Sequence, residues 1–96
     1  MQLIPDELED IIVETELDDY VNFESRVILF NDEIHTFEEV VRQIIKAISC
    51  SLEKAEELTL KVHTHGKATI YEGRIAESLR VSSVLEEIGL ITRIEC

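Results

Sequence analysis

Cysteine is scarce in this chain. Cys50 and Cys96 are the only two among 96 residues, too few for a disulfide framework and at a spacing that matches no zinc module. A reducing compartment is the simpler expectation. Long apolar runs are missing too: nothing approaches the roughly 18 consecutive apolar residues of a membrane span. The opening Met-Gln-Leu-Ile-Pro has no basic stretch leading into an apolar one. The expected location is the cytoplasm, without a membrane partner. Clustered Lys and Arg are a third absence. The net charge is -12, and the nine acidic residues from Asp6 to Glu24 share the first 24 positions with no Lys or Arg. The rest of the chain is nearly balanced, with 12 acidic residues against 9 basic ones. Neither part offers the basic surface that a phosphate backbone requires, so no nucleic acid partner is expected.

The usual signatures of catalysis are absent as well. There is no Gly-rich phosphate loop and no nucleophile elbow, and the serines fall at helix caps or on helix surfaces with no evident base. Adjacent carboxylates such as Glu38-Glu39 and Glu56-Glu57 have the form of solvated helix faces. His35, His63, His65 and Cys50 could ligate zinc. However, His63 and His65 are two apart on a predicted helix, which turns their rings about 200° from each other. No metal, no cofactor and no enzyme activity are expected.

What is present suits one domain with a single core, since 96 residues cannot divide their apolar side chains between two. Residues 1–24 mix Leu8, Ile11, Ile12, Val13, Leu17 and Val21 with their carboxylates and are predicted to be an acidic, flexible extension. The folded domain is predicted over 25–96. Arg26 to Phe30 is an apolar, β-forming run ended by Asn31-Asp32, which favour turns. Thr36 followed by Glu39 has the form of a capping box. Phe37, Val40, Val41, Ile44, Ile45 and Ile48 then recur at helical spacing.

Ser51 caps a predicted second helix with Leu52, Ala55, Leu58 and Val62 as its apolar stripe, Thr59 inside that stripe, and Gly66 as its stop. Lys67 to Tyr71 reads as a short strand. Ile75, Leu79, Val84, Leu85 and Ile88 outline a third helix stopped by Gly89, and Leu90 to Glu95 alternates as a last strand. The predicted class is α+β, a two-layer α/β sandwich in the order βααβαβ. Its three-stranded antiparallel sheet carries three helices on one face.

Two polar groups stand out. Asn31-Asp32-Glu33 places three acceptor-bearing side chains where a strand gives way to a loop, and rigidly supported loops of this kind often carry sites. Taken alone it is also a plain polar turn. His63 lies one turn past Thr59 and next to Val62, so the three line adjacent parts of one helix. Taken alone it is also an ordinary histidine at a helix end.

Together these elements resemble the ClpS adaptor family. The string Val27-Ile28-Leu29-Phe30-Asn31-Asp32-Glu33, two following helices, Val62-His63 ahead of Gly66-Lys67-Ala68, Ile75-Ala76-Glu77 and the closing strand carry the resemblance, which spans residues 26–96. It implies an adaptor that captures proteins beginning with Leu, Phe, Tyr or Trp and hands them to the N-terminal domain of a ClpA- or ClpC-type AAA+ unfoldase. The adaptor would be a monomer.

The resemblance assigns the substrate α-amine to Asn31, Glu33 and His63, with Asp32 beside them. It assigns the first side chain to a pocket of His35, Phe37, Val40, Thr59, Val62 and Leu90, and unfoldase docking to Arg74, Glu77 and Leu79. A terminal ammonium presents three donors and a positive charge, which calls for converging acceptors including an anion. The chain departs from many family members. Glu33 stands for Asp, His35 for Thr, Phe37 and Thr59 for Met, and Arg74 and Leu79 replace the usual Glu and Lys. Phe37 narrows the pocket and Thr59 shortens the opposite wall, so the ranking among Leu, Phe, Tyr and Trp is not carried over. Thr59 and the changed docking residues leave open a module of the same fold that binds an unfoldase or another protein without reading an N-terminus.

Overall fold

In a computed structural model the described residues are 23–96; most of the acidic extension expected over 1–24 lies outside them. The chain runs β1 (Glu24–Phe30), α1 (Phe37–Ile48), α2 (Leu52–His65), β2 (Lys67–Arg74), α3 (Ile75–Glu86) and β3 (Ile91–Glu95). The strands form one sheet in the order β2-β1-β3, and β1 pairs antiparallel with both neighbours. This is the α+β sandwich that the alternation of short apolar runs and amphipathic segments predicted.

The core follows from the period of each element. On β1, Val27 and Leu29 are fully buried and belong to the main cluster, joined there by Ile44, Val81 and Leu85 from the helices. Full burial of each such side chain contributes about 1.5–3 kcal/mol. Beneath β1 a small polar joint completes the fold: Ser25 Oγ donates to Ser78 Oγ of α3 at 2.7 Å and lies 3.1 Å from the Gly73 carbonyl.

The helix ends are chemically explicit. Thr36 Oγ1 accepts from the Glu39 amide at 3.1 Å while the Glu39 carboxylate accepts from the Thr36 amide at 2.9 Å, so the capping box is formed. Ser51 Oγ accepts from the Lys54 amide at 3.0 Å and starts α2. Gly66 ends α2 at φ 86°, in the left-handed region that suits glycine.

Several expectations are corrected. Leu52 is 58% exposed and Leu79 47% exposed, so neither is a stripe residue. On α2 the buried face is Ala55, Leu58, Thr59 and Val62. On α3 it is Ile75, Ser78, Val81, Ser82 and Leu85. The serines can be buried because they are bonded, Ser78 to Ser25 and Ser82 to Thr92 at 2.6 Å. Ile88 lies beyond α3, where the Gly89 amide donates to the Glu86 carbonyl and tightens the chain into a turn. Leu90 is buried but precedes β3.

Strand β2 is longer than expected, reaching Arg74. The ladder to β1 continues through Ser25–Gly73 to Glu24–Arg74, and it contains a β-bulge. Ile28 pairs with Thr69 and Val27 with Tyr71, which leaves Ile70 as an extra residue. Ile70 and Tyr71 both pack on the core, which breaks the alternation expected of a strand.

Candidate functional site

The end of β1 is tied to the end of α2. The Asn31 amide donates to the Gly66 carbonyl at 2.9 Å, one step past the pairing of Phe30 with Lys67. His63 is three residues before Gly66 on the last turn of α2, so this bond brings the Asn31 loop beside the His63 turn. The capping box meanwhile fixes where α1 begins and carries Phe37 and Val40 to the same place.

Between these elements lies a cavity of about 350 Å³. All ten residues expected at the amine site and the pocket line it, and the structure adds Leu29, Phe30 and Thr36. Those three were marked in the sequence only for structural roles, Leu29 and Phe30 in the first strand and Thr36 as a helix cap. They reach the cavity because they flank Asn31 and Phe37 in the chain. The cavity is stratified. Thr59, Val62 and Leu90 are buried and form its floor, Val40 and His35 are half-buried, and Asn31, Glu33 and His63 are exposed at its rim. Phe37 is 44% exposed, so its ring stands partly open at the mouth.

Thr59 is polar by type but not toward the cavity. Its Oγ1 donates to the Ala55 carbonyl at 2.7 Å, within its own helix, so no hydroxyl donor is left free on the floor. The floor therefore offers an apolar guest few competing polar partners.

Asp32 and His35 hold the rim loop in shape. Asp32 Oδ1 accepts from the Ile34 amide at 3.0 Å and the His35 amide at 2.9 Å, while Oδ2 lies 2.8 Å from His35 Nδ1. Burial pushes the Asp32 carboxyl up, but the hydrogen bonds from the His35 amide, the His35 ring and the Ile34 amide together outweigh it and hold it below the ordinary carboxylate value. The His35 ring moves up, first through its bond to Asp32 and then through its bond to the Ile88 carbonyl, against the opposing effect of burial. Asp32 lines the cavity, but its oxygens are already occupied within the loop. Glu33 is the carboxylate at the rim.

None of the residues expected at unfoldase docking, Arg74, Glu77 and Leu79, lines the cavity. Arg74 is the exposed N-cap of α3, and the Glu77 carboxylate accepts from Arg80 Nε at 2.7 Å, which holds it below its usual range. Leu79 lies two residues past Glu77, about 200° around the helix, so these two do not share a face of α3. Among the described residues no group of three or more His, Cys, Asp and Glu side chains converges to hold a metal, and no helix is long and apolar enough to cross a membrane.

Comparison with known proteins follows the same lines. The model of the family described as ATP-dependent Clp protease adaptor protein ClpS matches residues 22–87. That span takes in the rim and most of the floor and stops short of Leu90. A solved structure, Agrobacterium tumefaciens ClpS2 bound to L-phenylalaninamide, is similar with a TM-score of 0.67 at 18% sequence identity, covering 77% of this chain and 96% of that one. At that identity the likeness is one of fold. Comparison with curated protein sequences finds no match.

Proposed function

The chain belongs to the ClpS family of Clp protease adaptors, and on that premise we propose that it binds the free N-terminal residue of substrate proteins and delivers them to a ClpA- or ClpC-type unfoldase. The observation that carries this reading is the stratified cavity. Its polar rim of Asn31, Glu33 and His63 stands over an apolar floor of Thr59, Val62 and Leu90.

A protein N-terminus has the matching form, since a charged amine and a side chain branch from one carbon. Glu33 supplies the anion, the Asn31 side chain a carbonyl acceptor, and the neutral His63 ring a further acceptor, directly or through water. The first side chain enters the floor, where burial of a Leu or Phe contributes about 1.5–3 kcal/mol. That alone gives weak binding, so amine and pocket act together. The Agrobacterium relative was solved with L-phenylalaninamide, a molecule with a free α-amine and a benzyl side chain, which is the chemistry this cavity offers.

Delivery calls for a second surface. Arg74, Glu77 and Leu79 do not line the cavity, so an unfoldase that engages Arg74 and Glu77 at the start of α3, or Leu79 on another face of that helix, leaves the cavity free for substrate. The adaptor acts as a monomer and performs no chemistry of its own.

Fluorescence anisotropy with peptides beginning with Leu, Phe, Tyr, Trp or Ala, free and acetylated, tests the reading. Acetylation removes the charge and leaves the rim acceptors unpaired, a loss of about 2–5 kcal/mol. Bulky free N-termini should bind, while Ala-leading and acetylated peptides should not. Indifference to both changes would leave a family module that binds proteins without reading an N-terminus.

A further inference from the structure

His35 stands with each of its ring nitrogens against an acceptor. Nδ1 is 2.8 Å from Asp32 Oδ2, and Nε2 is 2.5 Å from the Ile88 carbonyl. A neutral imidazole carries one N–H and one lone pair, so it can satisfy only one of these contacts and must set its lone pair against the other oxygen. Both contacts are made together only when the ring carries both protons. The two side chains of the pair are 12% and 14% exposed, which shields their charges from bulk water.

We propose that His35 is a positioning residue for N-terminal recognition, an imidazolium clasp that fastens the Asn31–Glu33 loop to the turn bearing Leu90. The proposal rests on the N-terminal reading of the cavity. One end of the clasp grips Asp32, whose other oxygen already gathers the amides of Ile34 and His35. The other end grips the backbone two residues before Leu90, so rim and floor are held in one register. The ring also neutralises Asp32, which leaves Glu33 as the anion available to an incoming amine.

The charges that act on the ring are Asp32 in its own loop and Glu39 on α1, and the turn after α3 contributes a carbonyl; Glu33 of the same loop and His63 of α2 line the cavity beside it. Asp32 and Glu39 both favour the charged ring. The clasp is complete below the His35 pKa, which lies above the ordinary value, and it loosens as pH rises through that pKa. The substrate amine also loses its charge near pH 8, as α-amines do. A comparison of proteins at the same pH removes that shared effect.

Three measurements test the clasp. Long-range proton–nitrogen NMR of the His35 ring should show both nitrogens protonated at pH 7, with a titration midpoint above that of a free histidine, and Asp32→Asn should lower that midpoint. For a Phe-leading peptide, His35→Gln should bind about tenfold more weakly than the wild type at pH 6.5, and the ratio should shrink toward one by pH 9. Hydrogen exchange at the Ile34 and His35 amides should speed up in the same variant. A neutral single tautomer at pH 7, or an affinity ratio that does not change with pH, overturns the proposal. If no peptide binds the wild type, the N-terminal reading fails by itself. The clasp is then judged on the ring titration and amide exchange, and unchanged exchange in His35→Gln would overturn it.

Discussion

The Asn31 amide meets the Gly66 carbonyl at 2.9 Å, and this one bond joins the two chain segments that carry the rim. Gly66 holds the left-handed conformation that lets α2 turn into β2, and a Cβ placed there would meet nothing within 4 Å. The cost of Gly66→Ala is therefore backbone strain alone, about 1–2 kcal/mol. Chemical denaturation should show a loss of that size with an unchanged m-value. Peptide affinity should fall with it, because the strained turn carries both the Asn31 acceptor and the His63 ring.

Asn31→Ala and His63→Ala should separate binding from folding. Both residues are exposed at the rim, so neither supports the core and each variant should melt within a few degrees of the wild type. Loss of a hydrogen bond to a charged amine costs about 1.5–3 kcal/mol, or roughly 10- to 100-fold in affinity. Anisotropy with a Leu-leading peptide reads the affinity and circular dichroism the melt. Unchanged affinity in both variants would place the amine elsewhere.

Much of this architecture was legible because the strongest marks are local. The capping box at Thr36, the Ser51 cap and the glycine stop at Gly66 each fix an element boundary through chemistry within three or four residues, and each stands in the structure. The missed features depend on partners far away in sequence. Ser78 can be buried because it accepts a hydrogen bond from Ser25, 53 positions earlier, and no helical pattern could rank a serine above the exposed Leu79. The bulge at Ile70 is set by pairing with β1. At the site, residue types marked Asn31-Asp32-Glu33 and His63 and the family resemblance gave them roles, but neither pointed to the engagement of Asp32. That follows from the loop folding back on its own amides and on His35.

The floor of the cavity can be tested through Thr59. Its hydroxyl bonds the Ala55 carbonyl inside α2, so the cavity gains no polar contact from it. Thr59→Val keeps the branched shape and replaces the hydroxyl with a methyl group, a change that is close to neutral when no partner is orphaned. The Ala55 carbonyl remains within the helical ladder. Stability should change by less than about 1 kcal/mol, and affinity for Leu- and Phe-leading peptides should stay within about threefold. A large loss confined to one peptide would show that the hydroxyl reads the substrate.

Ser49 closes α1 at φ 54°, a left-handed conformation that costs a non-glycine residue about 1–2 kcal/mol. Its amide bonds the Ile45 carbonyl at 2.8 Å, which any residue with an N–H preserves. Ser49→Gly should relieve the strain while loosening the unfolded chain, for a net gain of about 0.5–1 kcal/mol. The gain should appear in the melting temperature without altering peptide affinity, since Ser49 does not line the cavity.

Stability should vary with pH in a way that the Asp32–His35 pair sets. His35 has a raised folded pKa, so its stabilising effect is complete below the unfolded histidine value of about 6.5 and is lost as pH rises through the folded value. Asp32 has a lowered folded pKa, so its effect is complete above the unfolded value of about 3.9 and is lost as pH falls through the folded one. The pair therefore stabilises the fold most between these two unfolded values. Glu77, Glu87 and Glu95 are also held low by their cationic partners and add to the acid loss, so the acid limb is shared. The decline above pH 6.5 is the part specific to His35, and thermal melts of Asp32→Asn and His35→Gln should both flatten it. An unaltered alkaline limb in both variants would assign it to other groups.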